Sequence, residues 1–270
     1  MPGRRHCGQH LRPRYFTVNG GFPQRSLLLT IRFCGTAYHG FQVQKNAMSV
    51  CQKFQDAVEK VLGSRCDVKG CSRTDSGVHA NKYCLSLAID RDIPCDKLVL
   101  ALNANLPEDI AVLSAVEVPA DFHARYSCLG KEYVYHIHNS HVRNPFAPKL
   151  SYRFPAPLDV DLLNRAAQDF VGTHDFKAFC SAGSDVEDTV RTITSFSVVR
   201  QGEEVLFTVR GDGFLYNMVR IMVGTLLFIA TGRLQPGAIP AILAGKARSG
   251  AGKTAPAWGL YLNDVFYENY

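Results

Sequence analysis

Polar chemistry concentrates in one short run, Cys71-Ser72-Arg73-Thr74-Asp75-Ser76-Gly77-Val78-His79-Ala80. Asp75 lies between two short hydroxyl residues, and Gly77 lets the chain take backbone angles that other residues avoid. A carboxylate displayed on a loop beside a strand can serve as a nucleophile or a general base. The competing reading is an Asx-type turn, in which Asp75 only bonds nearby backbone N–H groups. A second candidate group is the strand Lys131 to His138. Tyr133 and Tyr135 alternate onto one of its faces and His136 and His138 share the other. A His-x-His pair can bind metal, but no third ligand stands nearby, so no metal is expected. By itself Tyr133 reads as a core aromatic. Arg220 sits at the start of an almost wholly apolar helical run, Tyr216 to Gly224. Such a helix is mostly buried, and an arginine there either pairs with a carboxylate or snorkels to the surface.

Several elements must position these groups. Leu27 to Phe33 predicts a buried strand, followed by a polar, aromatic loop from Gly35 to Gln44. Ser49 to Leu62 is the clearest helix. Ser49 and Gln52 suit a capping box, Val50, Phe54, Ala57, Val58, Val61 and Leu62 share one face, and Gly63 stops it. A strand leads into the polar run and Tyr83 to Ile89 leads away. Cys95 to Leu102 predicts a helix, Asn103 to Ile110 a turn and Ala111 to Val118 a strand. Beyond Lys131 to His138 come a helix (Val160 to Phe170) and a hairpin (Thr192 to Arg210, turning near Gly202). A long helix from about Tyr216, a short one (Ala238 to Leu243) and a closing strand (Gly259 to Tyr267) complete the chain. Hairpin-connected strands mixed with helices point to an α+β fold. Ala247 to Thr254 looks like a relaxed phosphate-binding loop. Its context is reversed, with a helix before it and a strand after, so nucleotide binding is not expected.

The chain has 270 residues, 46% of them hydrophobic and 20% charged, ordinary for a protein that buries a core. Its net charge is +6. Residues 1–25 hold Arg4, Arg5, Arg12, Arg14 and Arg25 and no acid, so the remainder is nearly neutral. Any polyanion-binding surface must then be a local patch. The first 25 residues read as a flexible basic tail rather than a transit peptide, since they lack an amphipathic pattern. Nine scattered cysteines without a Cys-x-x-Cys pair suggest reduced thiols and a cytoplasmic location. The start lacks an apolar signal core, and the longest apolar run, Ile221 to Ala230, is too short to span a membrane.

The run from Ser72 to His79 resembles the signature of TruA-type tRNA pseudouridine synthases, with serine at 72 and 76 where the family usually has glycine and alanine. Gly35, Tyr38, Gly40, Gln42 and Gln44 match a second family element, although Cys34 and Phe41 replace its usual aspartate and tryptophan. Together with Asn103 to Ile110 and the Arg220 run, the resemblance covers residues 26–270. It implies two similar halves, 26–125 and 126–270, of mainly antiparallel sheet with helices on one side, joined around a central catalytic cleft. It implies Asp75 as the catalytic group and Tyr133 as a base-stacking tyrosine that assists proton removal. Arg73 would contact RNA. Arg220 would pair with Asp75, keep it ionised and depress its pKa. The implied substrate is tRNA, at anticodon-arm uridines ~38–40, bound by a homodimer that needs no cofactor. Residues 247–254 could then touch an RNA phosphate through the backbone. Two other readings are a non-catalytic RNA-binding module and a carboxylate glycoside hydrolase, but no second carboxylate stands out for the latter.

Overall fold

The computed structural model describes residues 24–183 and 186–270; the basic segment 1–23 lies outside them. In the first half the elements are β1 (Arg25–Phe33), α1 (Val50–Leu62), β2 (Lys69–Gly70), β3 (His79–Ile89), α2 (Cys95–Asn103) and β4 (Ile110–Val118). In the second they are β5 (Gly130–His138), β6 (Tyr152–Arg153), α3 (Val160–Ala167), β7 (Gly172–Asp175), β8 (Val190–Gln201), β9 (Glu204–Gly211), α4 (Met218–Ala230), α5 (Ile239–Gly245) and β10 (Leu260–Phe266).

The strands form one sheet in the order β4-β1-β3-β10-β5-β9-β8-β7, with β2 added to β3 and β6 to β5. Pairing is antiparallel except at β3–β10 and β5–β6. The fold is therefore α+β and mostly antiparallel. The two halves meet through β10, which follows every other element in sequence yet sits between β3 and β5. Tyr261 pairs with His79 and Leu262 with Ala80, the two residues that close the polar run. Across the next ladder Leu262 faces Tyr133, which puts that tyrosine two strand spacings, about 10 Å, from Ala80.

The reasons for the helices are local. Ser49 caps α1 by accepting the Gln52 N–H at 3.2 Å, and Gly63 ends it at φ 77°. Val50, Phe54, Ala57, Val58 and Leu62 are buried there, while Val61 is only partly covered. Nearly every residue of α4 is buried, because it packs against α3 and β5 at once. It begins at Met218, after the position expected, because Asn217 adopts a left-handed φ of 60°. The strand expected before the polar run is only the two residues of β2. Arg25 is not part of a free tail. It opens β1, and its guanidinium reaches Glu117 and the carbonyl of Ile93, the latter at 2.7 Å.

The phosphate-loop look-alike has a packing role. A Cβ on Gly224 of α4 would lie 1.7 Å from the Lys253 carbonyl oxygen, and one on Gly252 would lie 2.4 Å from the Gly224 oxygen. Only glycine at both places lets loop and helix touch backbone to backbone. Gly252 N–H donates to Thr225 Oγ1 at 2.9 Å, and Ala255 N–H to the Arg220 carbonyl at 3.0 Å. Gly224→Ala should therefore cost about 1–3 kcal/mol through overpacking. Gly245→Ala, with nothing within 4 Å of its Cβ, should stay within about 0.5 kcal/mol of the parent. Urea unfolding of both variants checks this; equal midpoints would show that the helix–loop packing is loose.

Candidate active site

The polar run leaves β2 and enters β3 over a backboard made by residues 35–44. Asp75 closes a turn with its main-chain carbonyl, which accepts the Val78 N–H at 3.2 Å, and Gly77 takes φ 80°. Gly77 N–H and Ser76 Oγ both donate to the Tyr38 carbonyl, at 3.1 and 3.3 Å. A Cβ on Gly35 would stand 1.9 Å from the Val78 oxygen, and one on Gly40 2.3 Å from the Thr74 oxygen. The loop is thus held by its backbone, which leaves the Asp75 side chain free of the Asx-turn role. Thr74 Oγ1, buried beside it, has no hydrogen-bond partner among the described residues.

His79 braces this arrangement. It is 1% exposed. Its Nδ1 accepts the Gly35 N–H at 3.0 Å, and its Nε2 faces the carbonyls of Lys149 and Trp258 at 3.0 and 3.1 Å. Two carbonyls at Nε2 require the proton there, so the ring is a neutral tautomer. Burial lowers its pKa further. Its hydrogen bonds join the loop to three distant parts of the chain.

Arg220 meets Asp75, with Nη1 3.0 Å from Oδ2. The same Nη1 donates to Asn217 Oδ1 at 2.6 Å, and Nε donates to the Ala255 carbonyl at 2.7 Å. Asn217 in turn donates to Ser181 Oγ at 2.9 Å. Carboxylate and guanidinium are 22% and 16% exposed. The expectation of a depressed Asp75 pKa is overturned. Burial raises it above its usual value near 3.8 and outweighs the Arg220 charge and hydrogen bond. The physical reason is visible in the geometry: Arg220 spreads its donors over three acceptors and gives the carboxylate a single hydrogen bond instead of a two-pronged one.

Asp75, Arg73 and Tyr133 line a cavity of about 410 Å³, together with Phe214, Asn217 and Lys131. Arg220 is not among the residues that line this cavity, although it touches Asp75, which is. Tyr133 is 6% exposed, its ring meets Phe214 edge-on at 5.0 Å, and its hydroxyl lies 3.1 Å from Ser72 Oγ. Burial pushes its phenol pKa well up. Phe214 and Asn217 are not singled out in the sequence, and Ser72 reads there only as a small replacement for glycine. Asn217 had a usable signal, an amide three residues before Arg220 at the start of the helix, whereas Phe214 lies in a loop without periodicity. His138 has both ring nitrogens engaged, by Glu204 at 2.9 Å and the Val142 carbonyl at 3.0 Å, whereas His136 packs on Tyr261.

A family profile described as tRNA pseudouridine synthase matches residues 29–127 and 166–268. The tRNA pseudouridine synthase A of Acetivibrio thermocellus is 45% identical over 90% of this chain and all of its own length. That of Ruminiclostridium cellulolyticum is 46% identical with the same coverage. Among solved structures, a Cbf5-Nop10-Gar1 complex aligns with a TM-score of 0.37 and 14% identity over 89% of this chain and 50% of that one, too distant to carry an argument. A profile that spans both halves, including the loop of Asp75 and the helix of Arg220, places this chain in the tRNA pseudouridine synthase family.

Proposed function

We propose that this enzyme converts uridine to pseudouridine in tRNA with Asp75 as its catalytic carboxylate. The observation that carries the assignment is a cavity with one carboxylate: Asp75 is the only acidic residue among the described residues that line it. A glycoside hydrolase would need a second one. A passive RNA-binding module would gain nothing from a carboxylate held in a buried, charge-disfavouring place. The reaction breaks the N-glycosidic bond and rejoins the same uracil through C5, whose hydrogen leaves as a proton while N1 gains one. Atoms and electrons balance within the substrate, so the chemistry asks for no redox partner. Asp75 acts as nucleophile or base in that exchange.

Tyr133 packs on the target base. Its raised pKa keeps it a neutral phenol at working pH, which favours a stacking role over proton acceptance. Arg73, exposed on the rim and without a salt bridge among the described residues, contacts the RNA backbone. The target base has to leave its stack to reach Asp75, and uridines at a stem–loop edge leave most cheaply. Family likeness supports the anticodon arm, positions ~38–40, as substrate and a homodimer as the binding unit. The eight free thiols among the described residues support a reducing, cytoplasmic setting.

Release of tritium from C5-labelled uridine in tRNA tests the function, since neither alternative reading exchanges that hydrogen. Asp75→Asn should lower this release by roughly 10³-fold or more and leave tRNA affinity within about threefold. It should also change stability with a definite sign. A carboxyl whose pKa rises on folding contributes stability that is full below its unfolded value and is lost as pH climbs through the folded one. The melting temperature of Asp75→Asn relative to the parent should therefore increase from pH 4 to pH 8; a decrease would show that Arg220 wins over burial. Arg220→Met should reduce kcat by roughly 10²-fold with KM for tRNA nearly unchanged, and Arg220→Lys should recover only part of that activity. A KM effect without a kcat effect would return Arg220 to the substrate-binding wall.

A further inference from the structure

The segment Asp121 to Ser127 joins the two halves and has no part in the chemistry above. It is folded as a rigid knob. Ser127 N–H donates to the His123 carbonyl at 2.9 Å, His123 N–H to Ser127 Oγ at 3.1 Å, and Arg125 N–H to His123 Nδ1 at 3.1 Å. Ala124, 0% exposed, pins it from below: its N–H donates to Ser86 Oγ at 3.1 Å and its carbonyl accepts the Tyr267 hydroxyl at 2.6 Å. The residues on either side are treated differently. Tyr126 is 77% exposed, its ring tilted against that of His123 with centroids 4.4 Å apart, and the Arg125 guanidinium lies 5.8 Å from its centre. A firmly anchored main chain thus presents an arginine outward, with no acidic partner among the described residues.

Arg125 lines the catalytic cavity, and it also lines a second cavity of about 440 Å³. So do Ser72 and Arg73, so these three residues form a shared wall. Phe41, Gln42, Val43 and Asp67 are among the other residues that line the second cavity. Two adjoining cavities of ligand size with a doubly cationic wall between them match the repeat of a nucleic acid strand. Successive nucleosides are joined by one phosphate, and that phosphate is where the charge lies. Asp67 repels phosphate from the second cavity, while its oxygens and the Gln42 amide can meet the edge of a base.

We infer that the second cavity is a subsite for the nucleotide adjacent to the target uridine, whose connecting phosphate is clamped by Arg73 and Arg125. This rests on the reading of the first cavity as the uridine site. Uridine in the catalytic cavity places its neighbour across the wall. Arg125 acts as a binding residue that fixes register along the strand, and Gln42 contacts the neighbouring base.

The test uses the full chain and tRNA with a single abasic nucleotide on the 5′ or 3′ side of the modified uridine. Wild-type kcat/KM should fall roughly tenfold with the abasic nucleotide on one side. Gln42→Ala should lose a similar factor on intact tRNA and nothing more on that abasic tRNA. Arg125→Gln should raise KM and lower the slope of log affinity against log salt by about 1, and Arg125→Lys should restore the slope. Both substituted positions are exposed, and melting temperatures within about 2 °C of the parent check that the variants are folded. Losses from Gln42→Ala and the abasic site that multiply, on both sides, or an unchanged salt slope for Arg125→Gln, would overturn the subsite. Absence of tritium release by the wild-type chain on intact tRNA would instead sink the uridine-site reading. The salt slope is measured by binding alone and still decides the role of Arg125.

Discussion

The structure depends on a short stretch of parallel pairing between β3 and β10. Only Tyr261–His79 and Leu262–Ala80 are in register there, yet they turn two partial sheets into one. Side chains reinforce the seam. His79 donates to the Trp258 carbonyl, its ring stacks on Tyr261 at 4.6 Å, and Asn81 donates to Asn263 Oδ1 at 2.9 Å. Everything at the site hangs from this line. Ala80 fixes where the Asp75 loop ends, Leu262 fixes Tyr133 through the next ladder, and the segment just before β10 carries Ala255, which holds Arg220.

That dependence explains what could be read from the sequence. The α1 helix was legible because cap, period and stop are all local. The need of Arg220 for a partner was legible because its apolar neighbours leave a buried cation few options, and the family likeness pointed to Asp75. The seam was not legible, since two paired residues produce no periodicity in either strand. The direction of the Asp75 pKa was not legible either. It is a difference between burial and the pull of a nearby cation. That pull is weakened because Asn217 and Ala255 share the donors of Arg220 with the carboxylate.

Arg25 and the 247–254 loop show a different limit. Composition assigned Arg25 to a basic tail, but a partner 92 residues away makes it part of the sheet. The glycines of 247–254 resemble a phosphate cradle in a reversed context, and what the sequence did not show is that helix α4 presses on Gly252. In both cases the residue type was read correctly and its neighbour was out of view. Close backbone approach recurs at Gly35, Gly40 and Gly224, each of which lets one main chain meet another near the site. Positioning here relies on peptide groups, which lack rotamers and so hold the loop more stiffly than side chains would.

The order of strands has a bearing on biosynthesis. Asn81 and Asn263, neighbours across the seam, are 182 residues apart. Pairings of such long range close late, and while a ribosome is extending the chain the partner of β3 does not yet exist. The loop of Asp75 emerges early, whereas its arginine is 145 residues further on and the Trp258 carbonyl is 179 residues beyond His79. The nascent first half therefore carries Asp75 without the partners that hold it in the finished fold, and the seam can form only once the closing strand has been made.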